Sequence, residues 1–344
     1  MPSRALQVLA RVTDQSMDEL EEVARVYPFA ISPFIIRRVA EGTYSLVALR
    51  QFLPDLRELQ DVDGFGPDPT GESGLHPERS VLQTYDNRLA LILTHQCLVY
   101  CRFCFRKEFV GLSDNGVLDE DLDRALSYVA AHPEVDDILL SGGDPLALPN
   151  KRLIPFLRKL AQIPHLKTIR IHSRALSVQP ERIDDELTQF LSSDDRFWYY
   201  AHMNHPDDIS HPDVAKAIRR LLSARVPILN QSVILAGVND DVNTMVQLMK
   251  LCYEHKVIPY NLYVLDRVRG AAHFEVPVDR IVEIYEALAQ LPGPAQPVLV
   301  VVDSQSKKHR AVYDSAFDLK AFLLRHREQA LATVTNESGP EPAS

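Results

Sequence analysis

Three cysteines within eight residues constrain this chain more than any other feature of its sequence. Cys97, Cys101 and Cys104 have the spacing CxxxCxxC, and they directly follow the apolar run Leu89–Leu93, which predicts a buried strand. Cysteine thiolates are the usual protein ligands of iron–sulfur clusters. A 4Fe–4S cluster takes four ligands. Three cysteines on one loop would therefore leave one iron open to bind another molecule and take part in chemistry.

Two other interpretations of the cysteines stay open at this point. Structural zinc normally takes four protein ligands, often as paired CxxC motifs, and the sequence shows no second pair, although His95 lies near. Free cysteines also behave as small apolar residues, so three unrelated buried thiols are the other alternative. The remaining cysteine, Cys252, lies far along the chain. The spacing favours the cluster over both alternatives.

The residues around the cysteines also carry a family resemblance. The string runs Cys97-Leu-Val-Tyr-Cys101-Arg-Phe-Cys104-Phe-Arg106-Lys107. It resembles the radical S-adenosylmethionine superfamily and, within it, the lysine 2,3-aminomutase family. The resemblance implies a 4Fe–4S cluster whose open iron binds S-adenosylmethionine. It further implies that an electron from a reducing protein cleaves the sulfonium to a 5′-deoxyadenosyl radical, which removes a hydrogen atom from an unactivated carbon. The cofactors supply this chemistry, and the protein supplies position and electrostatics.

From Leu89 onward, short apolar runs alternate with helical segments. The predicted strands are Leu89–Leu93, Asp137–Leu140, Lys167–Ile171, Arg196–His202, Ile228–Leu235, Pro259–Val264 and Val298–Val302. The predicted helices are Asp119–Ala131, Lys151–Gln162, Glu181–Ser192, Pro212–Ala224, Asp241–His255 and Val278–Gln290. Repeated βα units indicate a parallel sheet. Six or seven of them predict an α/β fold, a partial (β/α)6-type TIM-like barrel of parallel strands. A doubly wound open sheet is the alternative.

The barrel divides the chain into four expected parts. We expect an N-terminal helical extension over residues 1–80. We expect the radical S-adenosylmethionine barrel core over residues 81–305. Residues 306–332 predict a C-terminal segment with a helix over Ala316–Leu331, and 333–344 a disordered tail. A chain of 344 residues with 46% apolar residues suffices for one such barrel.

Composition narrows the expected partners and location. A net charge of −10 argues against bulk nucleic-acid binding. There is no apolar span of about 18 residues and no charged-then-apolar leader, so we expect neither membrane insertion nor secretion. Four cysteines, three of them clustered, do not suggest a disulfide framework. A reducing cytoplasm suits an oxygen-sensitive cluster. A homo-oligomer is compatible with the sequence.

Polar residues follow nearly every predicted strand. Barrel enzymes build their sites at the C-terminal ends of strands, so these residues are expected to converge on one mouth. Ser141-Gly142-Gly143-Asp144-Pro-Leu resembles the superfamily's glycine-rich motif. The resemblance implies that this motif contacts the amino group of S-adenosylmethionine, with Asp144 in place of the usual Glu. It also implies that four residues on later strand ends line the adenosylmethionine and pyridoxal side, namely Ser173, Arg174, His202 and Gln231.

Charged residues complete the expected site. A guanidinium grips a carboxylate with two parallel hydrogen bonds, and the resemblance implies that Arg106 holds the α-carboxylate of the substrate. It also implies that Tyr85 and Arg88 hold pyridoxal phosphate, the first through its ring and the second at the phosphate. Asp266 and Asp303 end strands six and seven, and two carboxylates facing one pocket suit a cationic side chain.

The lysine that anchors pyridoxal phosphate is the point where this sequence departs from the family. The family carries it in a glycine-rich loop after the last strand, but here the stretch reads Val300-Val-Val-Asp-Ser-Gln-Ser-Lys-Lys-His-Arg310. Lys308 is the first candidate and Lys307 the second. The alternative is a solvated basic loop, since lysines usually lie on the surface.

Three hypotheses of function follow. The first is an amino-acid 2,3-aminomutase that moves an amino group on a small cationic amino acid, using S-adenosylmethionine and pyridoxal phosphate. The second is a radical enzyme of the same family that has lost the pyridoxal anchor and performs a different radical reaction or acts on a protein-bound lysine. The third is a non-enzymatic iron–sulfur or zinc protein, against which the retained glycines, Arg106 and Asp266 speak.

Overall fold

The chain is represented by a computed structural model that describes residues 4–13, 15–111, 116–311 and 317–337. In the described residues nine strands form one sheet in the order of the sequence. The strands are β1 (Val81–Tyr85), β2 (Arg88–Thr94), β3 (Asp137–Gly142), β4 (Thr168–Ser173), β5 (Phe197–His202), β6 (Ile228–Val233), β7 (Ile258–Tyr263), β8 (Val298–Val302) and β9 (Lys308–Ala311).

The strands β2 to β8 run parallel to one another. Every pair of neighbours among them is joined by at least one helix, which makes six βα units closed by a seventh strand. Parallel strands need such crossovers because the chain must return to the end of the sheet at which the previous strand began. All seven predicted strands are present, and the predicted partial parallel barrel is confirmed; the doubly wound alternative, whose strand order would reverse, is wrong.

Helices cover the outer side of the sheet and build the N-terminal extension. In the described residues they are α1 (Arg4–Thr13), α2 (Met17–Val26), α3 (Pro33–Ala40), α4 (Leu46–Leu49), α5 (Asp119–Ala131), α6 (Asn150–Ala161), α7 (Ala175–Val178), α8 (Asp185–Leu191), α9 (Pro212–Ser223), α10 (Val242–Glu254), α11 (Val278–Leu288) and α12 (Leu319–Glu337).

Most predicted helices occur within a few residues of their expected bounds, with two differences. The predicted helix Glu181–Ser192 is broken, because the Asp184 side chain accepts a hydrogen bond from the backbone N–H of Leu187 and starts α8 afresh. The helix α12 ends at Glu337, inside the segment predicted to be disordered. The predicted start of that helix, Ala316, and residues 338–344 lie outside the described residues.

The N-terminal extension and the barrel share one hydrophobic core. Leu20 and Phe34 of the extension belong to the same buried cluster as Leu89 and Leu91 of β2. All four side chains are at most 1% exposed. The extension therefore packs onto the barrel as part of one folding unit, and it brings side chains to the strand ends where the site lies.

The two edges of the sheet are strands that the sequence did not predict. β1 pairs antiparallel with β2, and β9 pairs antiparallel with β8. The two edge strands lie close to each other at one point, where the backbone N–H of Lys308 in β9 donates to the Tyr85 hydroxyl of β1 at 2.9 Å. Within the described residues, no helix combines the length and the apolar character that crossing a membrane would need.

Candidate active site

The cysteine loop follows β2 and lies over the C-terminal ends of the strands. Short backbone turns shape it: Cys104 N–H donates to Cys101 O at 3.2 Å, and Lys107 N–H donates to Cys104 O at 3.0 Å. The three thiols are free and partly exposed. The charges of Cys101 and Cys104 both act on Cys97, so the three cysteines lie near one another, and their binding of iron stays a prediction.

Burial and a neighbouring cysteine sulfur make the Cys97 and Cys104 thiols hard to ionise. Burial raises the pKa of the Cys104 thiol to about 12, and the neighbouring Cys101 sulfur adds to the effect. Burial and the Cys104 sulfur hold the pKa of Cys97 well above its ordinary value. Metal coordination removes the proton from a thiol, so the donor set fits iron.

The described residues contain no group of three His, Cys, Asp or Glu side chains able to hold a single metal ion. A 4Fe–4S cluster does not need such a group, since each thiolate binds a different iron.

A buried ion network anchors the cysteine loop to the N-terminal extension. The Arg102 guanidinium donates to both carboxylate oxygens of Glu58, with Nη2 at 2.5 Å. Lys107 Nζ donates to the same carboxylate and to the carbonyls of Arg102 and Gly270. Burial lowers the pKa of Lys107 to about 8, although Glu58 opposes the shift. Sequence reasoning missed Glu58, because its partners lie more than 40 residues away.

Arg174, which follows β4, contacts the cysteine loop directly. Its Nη1 donates to the Cys101 sulfur at 2.8 Å. Its Nη2 donates to the side-chain carbonyl of Gln51, which also accepts from Asn204 Nδ2 at 3.0 Å. Gln51 belongs to the extension and is fully buried. Gln51, itself held by Asn204, therefore fixes the guanidinium against the Cys101 sulfur. In iron–sulfur proteins, hydrogen bonds to the sulfurs tune the reduction potential of the cluster.

The glycine motif after β3 packs against the entry to the cysteine loop. Gly142 has φ +111°, and a Cβ there would lie 2.5 Å from Thr94 O. A Cβ on Gly143 would lie 2.2 Å from Gln96 O. The backbone N–H groups of Gly143 and Asp144 donate to those same carbonyls at 2.6 and 2.9 Å. Both glycines are thus required by this close approach of two backbone segments.

Asp144 is buried, and both of its carboxylate oxygens accept hydrogen bonds from the protein. Its carboxylate accepts from Leu146 N–H at 2.9 Å, from Ser173 Oγ at 2.7 Å and from Arg174 N–H at 2.9 Å. Burial raises its pKa, and these hydrogen bonds oppose the shift. In this structure Asp144 and Ser173 therefore position the start of α7 and Arg174.

Arg106 is held by an acidic residue that the sequence did not single out. Its Nε and Nη2 donate to the two oxygens of Glu72 at 2.6 and 2.8 Å, and its Nη1 donates to Ser141 Oγ at 2.8 Å. Burial lowers the pKa of Arg106, but the Glu72 carboxylate outweighs burial and the net shift is upward. The sequence predicts that this guanidinium binds a substrate carboxylate. In the structure it binds the carboxylate of Glu72 instead.

Lys308 points its amine toward the strand ends. Its Nζ lies 2.6 Å from the Tyr263 hydroxyl, which also accepts from Gln231 Nε2 at 3.2 Å and from Asn261 Nδ2 at 3.0 Å. The other candidate, Lys307, is exposed. Of the predicted residues, Gln231 and Lys308 are thus brought together by Tyr263, which sequence reasoning missed.

Three buried polar atoms near these residues have no hydrogen-bond partner in the described structure: His172 Nε2, His202 Nε2 and Asn261 Oδ1. Burial and then the Arg174 charge lower the pKa of His202 to about 3. Burial and then Lys308 hold the pKa of His172 well below its ordinary value. Buried polar atoms normally have partners, so these neutral imidazoles and the amide indicate that a polar ligand completes the site.

Tyr85 ends β1 and Arg88 begins β2, and the Tyr85 hydroxyl accepts from the backbone N–H of Lys308. The Arg88 guanidinium lies 5.1 Å from the centre of the Tyr85 ring, and its Nε donates to Asp137 at 2.7 Å. Arg170 donates to the same carboxylate through Nε at 2.7 Å. Two guanidiniums around one carboxylate leave net positive charge, which suits a phosphate.

Asp266 and Asp303 have different surroundings. Burial raises the pKa of Asp266 to about 7, Glu72 adds to the shift and Lys308 opposes it. Asp303 instead accepts from the backbone N–H groups of Gln305 and Lys307, both at 2.9 Å, and pairs with His309 Nε2 at 2.8 Å. Burial would raise the pKa of Asp303, but these hydrogen bonds lower it. Asp303 therefore shapes the β8–β9 turn.

Both aspartates nevertheless line one cavity of about 340 Å³ below α12. Glu275 also lines it, and its Oε1 accepts from Arg267 at 2.6 Å and from Arg327 of α12 at 2.7 Å. Apolar side chains, among them Val264, complete the lining. Together with Asp266 they suit an aliphatic side chain that ends in a cation.

Comparison with known proteins agrees with the cysteine motif. A family model described as the Radical SAM superfamily matches residues 91–249. A protein named L-lysine 2,3-aminomutase from Fusobacterium nucleatum is 36% identical over 297 residues, covering 85% of this chain and 70% of its own. Relatives of the same name from Clostridium subterminale and Escherichia coli are 34% and 35% identical, and the alignments cover 84% of this chain and 70% and 84% of theirs.

Proposed function

Because the chain belongs to the lysine 2,3-aminomutase family of the radical S-adenosylmethionine superfamily, we propose that it moves the amino group of a small cationic amino acid between adjacent carbons, most simply on lysine. Membership of the family makes it an isomerase. The finer proposal includes a 4Fe–4S cluster on Cys97, Cys101 and Cys104, and pyridoxal phosphate on Lys308.

The observation that carries the proposal is the position of Lys308 within the strand-end site. An amine beside the unpartnered buried atoms of His172 and Asn261 suits a lysine that holds a cofactor. The Tyr85 hydroxyl, on the other edge strand of the sheet, accepts from the backbone N–H of Lys308. A lysine of an ordinary solvated loop would instead resemble the exposed Lys307.

The chain's own residues have separate tasks in this proposal. The bound cluster and S-adenosylmethionine would supply a carbon-centred radical, and pyridoxal phosphate would supply a group that carries the migrating nitrogen. Arg174 fixes the Cys101 sulfur, Arg88 offers positive charge for a phosphate, and Asp266 offers negative charge for the cationic end of the substrate. The partners expected are a reducing protein and the amino acid.

The cluster half of the proposal is tested on protein reconstituted with iron and sulfide without oxygen. We expect about four irons per chain, the content of one 4Fe–4S cluster, and loss of most iron in Cys97→Ala, Cys101→Ala or Cys104→Ala. The matched control is Cys252→Ala, since Cys252 lies in the core at α10. Iron lost from the control but kept in Cys104→Ala would contradict the assignment.

The aminomutase half is tested with deuterated lysine, S-adenosylmethionine, pyridoxal phosphate and a reductant. We expect 3,6-diaminohexanoate as product and deuterium in recovered S-adenosylmethionine. Deuterium transfer without amino-group migration, from protein that binds no pyridoxal phosphate, would favour the second hypothesis, a radical enzyme without the pyridoxal anchor. No deuterium transfer from any amino acid or lysine-containing peptide would overturn both.

A further inference from the structure

The pairing of Arg106 with Glu72 has the geometry of a bound ligand. The two carboxylate oxygens face Nε and Nη2 at 2.6 and 2.8 Å, the arrangement in which a guanidinium takes a free carboxylate. Both side chains are only 13% exposed. The remaining nitrogen, Nη1, is occupied by Ser141 Oγ and by Gly142 O at 3.3 Å. A ligand carboxylate that needs the same edge must therefore displace Glu72.

Glu72 lies on a loop that is built to present it. Asp68 accepts from the backbone N–H groups of Glu72 and Ser73 at 2.9 and 2.8 Å, which fixes the turn before the side chain. The turn begins at Gly71, with φ +66°, a conformation that favours glycine. The turn thus holds the backbone of Glu72 in place, so that its carboxylate is directed at Arg106.

The same loop touches the hairpin that carries Lys308. A Cβ on Gly71 would lie 2.0 Å from Ser304 O, so the two backbones are in close contact. Ser306 Oγ donates to Thr70 O at 2.8 Å. The Glu72 loop therefore packs directly against the turn just before β9.

Glu72 supplies the carboxylate that compensates the charge of Arg106. Two cations, Arg106 and Lys308, face two acids, Glu72 and Asp266, whose proximity contributes to the raised pKa of Asp266. Removing one partner of a buried ion pair leaves an uncompensated charge, which is costly. Exchange of Glu72 for another carboxylate avoids that cost, whereas loss without replacement does not.

We propose that Glu72 holds the place of a ligand carboxylate on Arg106, and that a ligand must bring its own carboxylate to displace it. Glu72 is then a specificity-determining residue, an assignment that rests on the amino-acid function proposed above. A diamine without a carboxylate can reach Asp266 but has nothing to exchange at Arg106. An amino acid with a cationic side chain satisfies both ends.

The first experiment measures access to Arg106 without any substrate. Phenylglyoxal modifies unpaired guanidiniums, and peptide mass spectrometry reports the rate at Arg106. We expect modification to be about tenfold faster in Glu72→Gln than in wild type, the change that loss of about 1.4 kcal/mol of masking gives. The matched control is Glu275→Gln, which removes a carboxylate from two other arginines of the mouth. It should leave the rate at Arg106 unchanged.

The second experiment measures equilibrium binding of L-lysine and of 1,5-diaminopentane to the reconstituted protein. Glu72→Gln should bind L-lysine about fivefold or more tightly than wild type, because an unpaired buried guanidinium attracts a carboxylate. The affinity for 1,5-diaminopentane should rise less than that for L-lysine, because the diamine gains only from the lower pKa of Asp266 that loss of the Glu72 charge brings. Glu72→Ala serves as a second variant, and circular dichroism checks that both are folded.

The outcomes separate this inference from the proposed function. Unchanged labelling of Arg106 in both Glu72 variants overturns the inference. Weaker binding of both ligands in Glu72→Gln also overturns it, since Glu72 would then be a ligand for the cation. Faster labelling with no lysine binding by any variant supports the place-holding role and sinks lysine as the substrate.

Discussion

Burial decides the charge of single residues at this mouth. Asp266 has a pKa near 7 because it is withdrawn from water and lies near Glu72. Burial also lowers the pKa of His202 and of His172, so both imidazoles stay neutral. They therefore add no positive charge to the site. A cation-binding group that titrates near neutrality makes ligand affinity depend on pH in a way that the residue type alone would not indicate.

The affinity for a cationic amino acid should rise with pH through neutrality. Below pH 7 the Asp266 carboxyl is mostly protonated, and above it the carboxylate is available to the ammonium group, which stays charged in this range. We expect L-lysine to bind about tenfold more tightly at pH 8 than at pH 6, the change in the ionised fraction of a group with a pKa near 7. Calorimetry measures this directly.

The control is Asp266→Asn, in which the affinity should be weak and nearly independent of pH over the same interval. Asp303→Asn should keep the wild-type pH profile, because Asp303 is occupied by its own turn and His309. A wild-type profile that is flat between pH 6 and 8 would show that Asp266 does not meet the cation.

At the scale of elements, the start of β9 separates two adjacent lysines. β9 begins at Lys308, whose amine reaches Tyr263, whereas Lys307 belongs to the preceding turn and is exposed. The pairing of β9 with β8 thus gives the two candidates different surroundings and favours Lys308, which stays a prediction.

Borohydride reduction of protein loaded with pyridoxal phosphate should label Lys308. The labelled peptide is identified by mass spectrometry. Lys308→Ala should lose the label, and the matched variant Lys307→Ala should keep it, since its amine is outside the site. A label found on Lys307 in wild type would mean that the hairpin is arranged differently when the cofactor is bound.

The contact between β3 and the cysteine loop should not tolerate a methyl group. In Gly143→Ala the new Cβ would lie 2.2 Å from Gln96 O, so the backbone just before Cys97 must move. We expect destabilisation of about 1–3 kcal/mol, typical of enforced backbone strain, with reduced iron content. Gly74→Ala is the control, because a Cβ there meets nothing within 4 Å. Full iron loading of Gly143→Ala would argue against this role.

The parallel strands were predictable because each is a short apolar run between helices, a local pattern. β9 was not predicted, since Lys-His-Arg-Ala has no apolar period and forms a strand only because β8 offers it a pairing edge. Glu72 was missed for a related reason. It lies in a loop rich in glycine and proline, and its partner Arg106 is 34 residues further on. A pairing over that distance leaves no mark in local sequence.

At the scale of the whole molecule, the N-terminal extension is part of the site. It contributes Gln51 to Arg174 and Glu58 to the cysteine loop, and it shares the barrel's core. The extension and the loop should therefore lose their structure together, and a substitution in the extension should affect the cluster.

Glu58→Gln should lower the free energy of unfolding by about 3–5 kcal/mol, the usual cost of breaking a buried ion pair. It leaves Arg102 and Lys107 buried without a carboxylate. Denaturant titration measures the loss, and iron content should fall with it. Lys159→Ala removes an ion pair whose side chains are 60% and 62% exposed. It should cost less than about 1 kcal/mol, and a similar loss in both variants would contradict the proposed anchoring.

The meeting of β1 and β9 bears on how the protein matures. Within the described residues the sheet order runs from β1 to β9 without a ladder between them, and the Lys308 N–H to Tyr85 hydroxyl bond spans the gap. Such a seam can part without breaking a strand ladder, and it borders Lys308, the lysine proposed to hold pyridoxal phosphate. Pyridoxal phosphate entering by this seam would not have to pass between paired strands. We expect iron and pyridoxal phosphate to be loaded in either order, so neither insertion has to wait for the other.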